Sequence, residues 1–337
     1  MNSLERIAAT IQFREADRTP VIAQVFAHAA RVAGVSVDDY VRDGETLAQC
    51  QLTALRQYGY DAVFSVMDVN VETEAVGSAL AYGKDRYPVV QQYALSRTSD
   101  FGSIEVPDCR TAGRCGEMLK ALRILRRELG NETLVVGCVM GPFTLATQLL
   151  GMEAALYLAI DEPSRLEQLM DFATEVIVRF GQAQLEAGAH LSVVFDPSAS
   201  PAVVPAQFFR EFELPRLRRA FQALAGSGAL ASWLHIAGPS GAILPYYPAA
   251  GANVACFDYC VGAAKARDRL PTTCLTGNIK SMTFVEGTPA DIEAEAAKLL
   301  GDFRDRGGFI LSSGCEIPPE SAPENVAALV GAARAGG

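Results

Sequence analysis

His235 closes the apolar run Ser232-Trp-Leu-His-Ile236 and opens onto a Gly238-Pro-Ser-Gly241 loop. An imidazole so placed is either a metal ligand or proton carrier, or a satisfied core histidine; the sequence leaves both readings open. Other chemistry-bearing residues stand at the ends of similar runs. Asp68, with Asn70, Glu72 and Glu74 behind it, follows Ala62–Met67, and Asp196-Pro-Ser198-Ala-Ser200 follows Leu191–Phe195. Asp258-Tyr259-Cys260 follows Val254–Phe257, Gly277-Asn278 ends the run from Thr273, and Ser312-Ser-Gly-Cys315-Glu316 follows Phe309. Carboxylates, an imidazole, a phenol and thiols in one place serve proton transfer or metal binding. Asp196-Pro and Gly277-Asn are also ordinary turn chemistry. The remaining histidines, His28 in an Ala-rich helical stretch and His190 just before a run, read as structural or exposed. Cys50, Cys109, Cys115 and Cys138 read as small buried hydrophobes.

These residues need a scaffold that brings strand ends together. Eight short β-rich runs recur: 19–25, 62–67, 134–140, 191–195, 232–236, 254–257, 273–276 and 309–312. Each is nearly continuous in apolar residues, as parallel strands covered on both faces are. Amphipathic helical segments lie between them, such as 164–179 and 289–300, the latter opening with Pro289 and early acids. Eight strands alternating with helices predict an α/β fold, the (β/α)8 TIM barrel, over a single domain 1–337. A doubly wound open sheet is the rival, but no GxGxxG follows the first run. In such a barrel the chemistry sits where strands end.

Composition narrows the function. Charge is 29 − 39 = −10, which disfavours a global grip on nucleic acid or an anionic membrane. The basic cluster Arg216-Leu-Arg218-Arg219 reads as a solvated helix face. Residues 133–152 are 20 uncharged positions in a row, but Gly137, Gly141, Pro142 and Gly151 break them. A strand, a turn and a helix are expected there rather than a membrane span. Eight scattered cysteines without a CxxC pair, and a start without a signal-peptide apolar core, lead us to expect reduced thiols in a cytoplasmic protein.

Taken in order, several segments resemble the uroporphyrinogen decarboxylase superfamily, within it the zinc-dependent, corrinoid-linked methyltransferase branch. They are Asp17-Arg-Thr-Pro-Val21, the stretch Asp68–Gly77, Gly141-Pro-Phe-Thr-Leu-Ala146, Asp196–Ser200, His235-Ile-Ala-Gly238, Thr276-Gly-Asn-Ile279, Ile310–Cys315 and Pro323-Glu-Asn325. The resemblance implies a (β/α)8 barrel. True decarboxylases carry arginines after the first strand to hold tetrapyrrole carboxylates. Val25 and Ala29 stand at those positions, so that chemistry is disfavoured.

The methyltransferase branch binds zinc through a His-x-Cys pair and a later Cys. His235 and Cys315 match that pattern as metal ligands, whereas Ala237 replaces the middle cysteine. The third ligand is therefore open among Glu72, Glu74, Asp196, Cys256, Asp258 and Glu316. The resemblance implies a methyl group moved between a small methylated or thiol substrate and a corrinoid on a separate protein, since no DxHxxG stretch is present. Asp68, His235, Asp258 and Tyr259 are the expected catalytic residues, and Asp196, Ser200 and Asn278 the expected cofactor-binding ones. Two alternatives stay in view: a metal-free decarboxylase or lyase on the same barrel, and a non-catalytic corrinoid or ligand carrier.

Overall fold

The computed structural model describes residues 1–335. Its strands, in chain order, are β1 (Val21–Ile22), β2 (Ala62–Phe64), β3 (Ala79–Gly83), β4 (Arg86–Gln92), β5 (Leu134–Met140), β6 (Leu191–Phe195), β7 (Trp233–His235), β8 (Val254–Cys256), β9 (Cys274–Ile279) and β10 (Phe309–Ser313). Eight of them form one parallel sheet in the order β1-β10-β9-β8-β7-β6-β5-β2. The amide of Asp61 donates to the Val21 carbonyl at 2.8 Å, which brings β2 against β1 and nearly closes the ring. The eight predicted runs are these eight strands, so the (β/α)8 barrel holds. β3 and β4 form a separate antiparallel hairpin that the strand pattern did not announce. Short, half-exposed hairpin strands carry too little hydrophobic periodicity to stand out.

Local chemistry explains the covering helices. Thr288 accepts from the amide of Asp291, whose carboxylate accepts the Thr288 amide in return, so a capping box starts Pro289–Phe303. Gly141 and Pro142 open the helix Pro142–Leu150 directly after β5, as the uncharged stretch predicted. Among the described residues no single helix is long and apolar enough to cross a membrane; Pro142–Leu150 and Met152–Asp161 reach that length only as a pair bent by 110°.

The strand starts form one end of the barrel. There Asp61, fully buried, accepts from Ser3 Oγ, Arg6 Nη1, both terminal nitrogens of Arg18 and the Val21 amide. The Asp17-Arg-Thr-Pro-Val21 segment thus serves the closed end, with Asp17 paired to Arg6 at 2.6 Å.

Which side chains fill the barrel follows from one contact. The Phe64 and Trp233 rings lie 6.1 Å apart, although β5 and β6 separate their strands in the sheet. The contact runs through the interior, so both rings point inward. In-register neighbours share a face, and residues two apart along a strand do too. His235 and Cys256 therefore face inward at the top, as do Thr276 (partner of Cys256) and Ser312. Ile22 pairs with Ser312, which places Gln24 on the same inner face; its amide nitrogen lies 3.5 Å from Ser312 Oγ.

One charge reading is corrected. Arg216 is not part of a solvated face: it is buried and donates to the Phe212 and Glu167 carbonyls, 3.0 Å from Asp171. Its stem packs inside while Arg218 and Arg219 stay at the surface.

Candidate active site at the strand ends

His235 is 2% exposed, and neither ring nitrogen has a hydrogen-bond partner. Burial lowers its pKa to about 4 against the opposing pull of Asp258, so the ring is neutral near pH 7. Its ring centroid lies 4.7 Å from that of Phe195. Asp258 follows β8 and accepts from the amides of Gly238 at 3.0 Å and Cys260 at 3.0 Å. Both carboxylate oxygens are thereby used to tie the His235 loop to its neighbour. Cys315 is partly buried, and burial pushes its thiol up to about 11; the charges of Glu316 and Asp258 act in the same direction. Asp258 is thus the group whose field reaches both His235 and Cys315.

The other expected residues divide clearly. Asp196 is buried and accepts the Thr144 amide at 2.9 Å and hydroxyl at 2.5 Å. A Cβ at Gly141 would sit 2.1 Å from Asp196 Oδ2, so the Gly141-Pro-Phe-Thr144 and Asp196-Pro-Ser segments form one packed unit. Glu213 lies beside Asp196, and burial together with that like charge raises its pKa well above the ordinary carboxylate range. Ser200 is buried, with only a long contact of 3.4 Å from the Ala202 amide. Asn278 spends its amide nitrogen on the carbonyls of Asp258 and Val261, bracing the β8 loop. Tyr259, expected to transfer protons, is 53% exposed and turned to the rim, where Lys280 lies over its ring.

Asp68 is at the mouth but is not a free base. Arg114, which sequence reasoning passed over, forms a buried ion pair with it and a second with Glu74 at 2.6 Å. Burial pushes the Asp68 carboxyl above its ordinary range against the pull of that guanidinium. Arg114 lies far along the chain from any strand end, so only the fold brings it here. Glu72 accepts the Met140 amide, and burial raises it to about 7. Glu316 is held by the Tyr87 hydroxyl from the β3–β4 hairpin, and Tyr87 in turn accepts the Ala27 amide at 3.1 Å. The hairpin thereby fastens the β10 loop to the β1 loop.

The zinc centre implied by the resemblance needs three protein donors and an open position. His235 and Cys315 offer two, and Ala237 offers a methyl group. Among the described residues no three His, Cys, Asp or Glu side chains come together as a metal-holding set. Among the candidate third ligands Glu74 is held by Arg114, Glu316 by Tyr87, Glu72 by an amide and Asp258 by two amides, while Asp196 gives Oδ1 to Thr144 and keeps Oδ2 without a partner. Cys256 donates its thiol toward the Gly314 carbonyl. The donor set does not fit the expected zinc, and no step below runs through one.

Volume points elsewhere. A cavity of about 760 Å³ lies at the closed end, lined by Arg14, Arg18, Phe303 and Phe309 among others and by no histidine or cysteine. At the strand ends it is unpaired polar capacity, as at His235, that makes them the candidate site.

Known proteins agree with the architecture. Methylcobamide:CoM methyltransferase MtbA of Methanosarcina mazei is 26% identical over 337 residues, covering 98% of this chain and 97% of its own. A uroporphyrinogen decarboxylase of Syntrophotalea carbinolica is 31% identical over 85% of this chain and 82% of its own. The solved structure of a methyltransferase from Methanosarcina mazei superposes with a TM-score of 0.91 at 29% identity, covering 99% of each chain. The uroporphyrinogen decarboxylase (URO-D) family matches residues 2–336, and the chain belongs to that family.

Proposed function

We propose that this protein is a methyltransferase that moves a methyl group between a small methylated or thiol substrate and a corrinoid carried by a separate protein. The observation that carries the reading is the likeness to the Methanosarcina mazei methyltransferase, TM-score 0.91 across 99% of both chains. The absence of arginine at positions 25 and 29 supports it against decarboxylation of a polycarboxylate. A corrinoid, when its carrier docks, supplies the methyl-accepting or methyl-donating centre. The chain's own residues bind and orient the small substrate at the open end of the barrel. His235, neutral and without partners, accepts a hydrogen bond from the substrate or donates one to it. Asp258 holds the His235 loop in place, and Cys315 faces the same field. Asp196, Ser200 and Asn278 shape the wall, and Tyr259 stands at the rim where the carrier approaches.

The test is methyl transfer from methylated substrates to cob(I)alamin, followed by the absorption change of the cobalamin. His235→Ala and Cys315→Ser are expected to lose transfer while keeping the wild-type melting temperature. Wild-type protein that decarboxylates uroporphyrinogen and transfers no methyl group would overturn the reading. Metal analysis of the purified protein independently tests the donor-set conclusion.

A further inference from the structure

The closed-end cavity, at about 760 Å³, is of the size that small-molecule sites have, roughly 300–1,000 Å³. The loop 14–20 forms one wall, and the helices Pro289–Phe303 and Pro323–Ala335 form the others. Much of the lining is apolar, with Pro20, Leu300, Phe303, Phe309 and Ala332. Its charged members are Arg14, Arg18 and Arg304 against Glu15 and Glu293, an excess of positive charge in a chain of net charge −10.

The positive charge gathers at one end. A Cβ at Gly308 would sit 2.4 Å from the Phe13 ring, so the chain entering Arg14 meets the Gly307-Gly308 turn that follows Arg304. Arg306 stands behind this end, its guanidinium 5.2 Å from the Phe13 ring centroid and 5.8 Å from that of Phe303. It donates to the carbonyls of Leu270, Thr273, Gly307 and Gly308, and its Nε is buried without a partner. Arg14 and Arg304 are exposed, and none of these three arginines is in an ion pair among the described residues. Arg18 differs, because its charge is spent on Asp61. Of the acids, Glu15 adjoins Arg14, whereas Glu293 lies about 16 Å from Arg304 along the same helix. Asp302 and Asp305 flank Arg304 in the chain but are outside the lining.

A cleft with guanidiniums lacking counter-ions at one end and apolar walls beyond suits a ligand with the same asymmetry. Charge-assisted hydrogen bonds hold an anionic head, and the cleft removes an apolar body from water. We infer that this cavity binds a small amphiphilic anion, a carboxylate or a phosphate ester on an apolar body. The head lies toward Arg14 and Arg304, and the body runs along Leu300 and Phe309. The site is at the opposite end of the barrel from His235, so it stands apart from whatever reaction runs at the strand ends. Pro20 and Phe309 lead into the paired strands β1 and β10, so the ligand also stabilises that seam by binding the folded form.

Calorimetry on the full chain tests this. The probes are phenylbutyrate and naphthyl phosphate against phenylbutanol, phenylbutylamine and inorganic phosphate. At least one organic anion is expected to bind at least about 10-fold more tightly than the alcohol, the amine and inorganic phosphate, and to raise the melting temperature. Which anion binds tells a carboxylate head from a phosphate head. Arg14→Gln combined with Arg304→Gln is expected to weaken that anion about 10-fold or more, with the unliganded melting temperature unchanged. Gly331 lines the cavity and has nothing within 4 Å of its Cβ position, so Gly331→Trp is expected to plug the site and abolish binding. Should that variant lower the unliganded melting temperature, the arginine variant decides alone. His235→Ala is expected to bind the anion as wild type does. Failure of both anions to bind, equal affinity for the alcohol, or unchanged affinity in the arginine variant or in a stably folded Gly331→Trp would overturn the inference. Loss of binding in His235→Ala would overturn it too, by moving the anion to the strand ends.

Discussion

The two ends of the barrel use buried polar groups in opposite ways. At the closed end Asp61 receives five hydrogen bonds from Ser3, Arg6, Arg18 and the Val21 amide. At the open end His235 receives none. Both side chains are buried, and the desolvation cost is of the same kind. At the closed end the protein meets that cost itself and gains a clamp between the first helix and the β1–β2 seam. At the open end no protein group offsets that cost for His235. The contrast separates residues whose hydrogen-bonding capacity is spent on the barrel from residues whose capacity is left over, a separation that position on a strand end alone does not provide.

The largest expected effect breaks the closed end. Asp61→Ala leaves two buried or half-buried arginines facing an empty site, which costs roughly 3–5 kcal/mol. Denaturant unfolding should show it as a lower midpoint with methyl-donor binding retained per folded molecule. A loss below about 1 kcal/mol would show that water replaces the carboxylate and that the clamp is not what closes the barrel.

The next effect is at the open end and depends on pH. The folded-state pKa of His235 is depressed to about 4 from an ordinary 6.5. A depressed histidine favours the neutral ring in the fold, so its contribution is full above pH 6.5 and is lost as pH falls from there toward 4. The loss reaches about 3 kcal/mol if nothing relaxes, at 1.36 kcal/mol per unit. His235→Asn should flatten the fall in melting temperature between pH 6.5 and 4, although His190, also lowered to about 4, preserves part of the slope. An identical slope in the variant would mean that the ring is reached by water and is not the idle group described here.

A smaller effect sharpens the comparison within the open end. Tyr87→Phe removes the hydroxyl that serves both Glu316 and the Ala27 amide, a cost of about 1–3 kcal/mol. Burial raises Glu316 to about 7, so the fold favours its protonated form; that contribution is full below about pH 4.5 and is lost as pH rises through 7. Without the Tyr87 donor the loss should be steeper, and the variant should be relatively more stable at pH 5 than at pH 8. A pH-independent difference would assign Tyr87 to hairpin packing alone.

Much of this was legible in the chain. All eight barrel strands stand out because parallel strands buried on both faces must be apolar throughout, and Gly141-Pro142 marks the turn that ends one of them. His235 and Cys315 could be picked as strand-end residues for the same reason. The hairpin could not, since its half-exposed strands carry no such pattern. Arg216 misled, because a guanidinium next to Arg218 and Arg219 gives no sign that its own stem turns inward.

The sequence by itself determined the barrel and its open end, because these depend on local pattern, and its resemblance to the methyltransferase branch implied a missing thiolate at Ala237. Tertiary structure alone decided which polar groups are spent. Asp68 and His235 look equally available on paper, yet one is held by Arg114, 46 residues away, and the other by nothing. Hydrogen-bond capacity is used up by neighbours in space, and those neighbours come from distant parts of the chain.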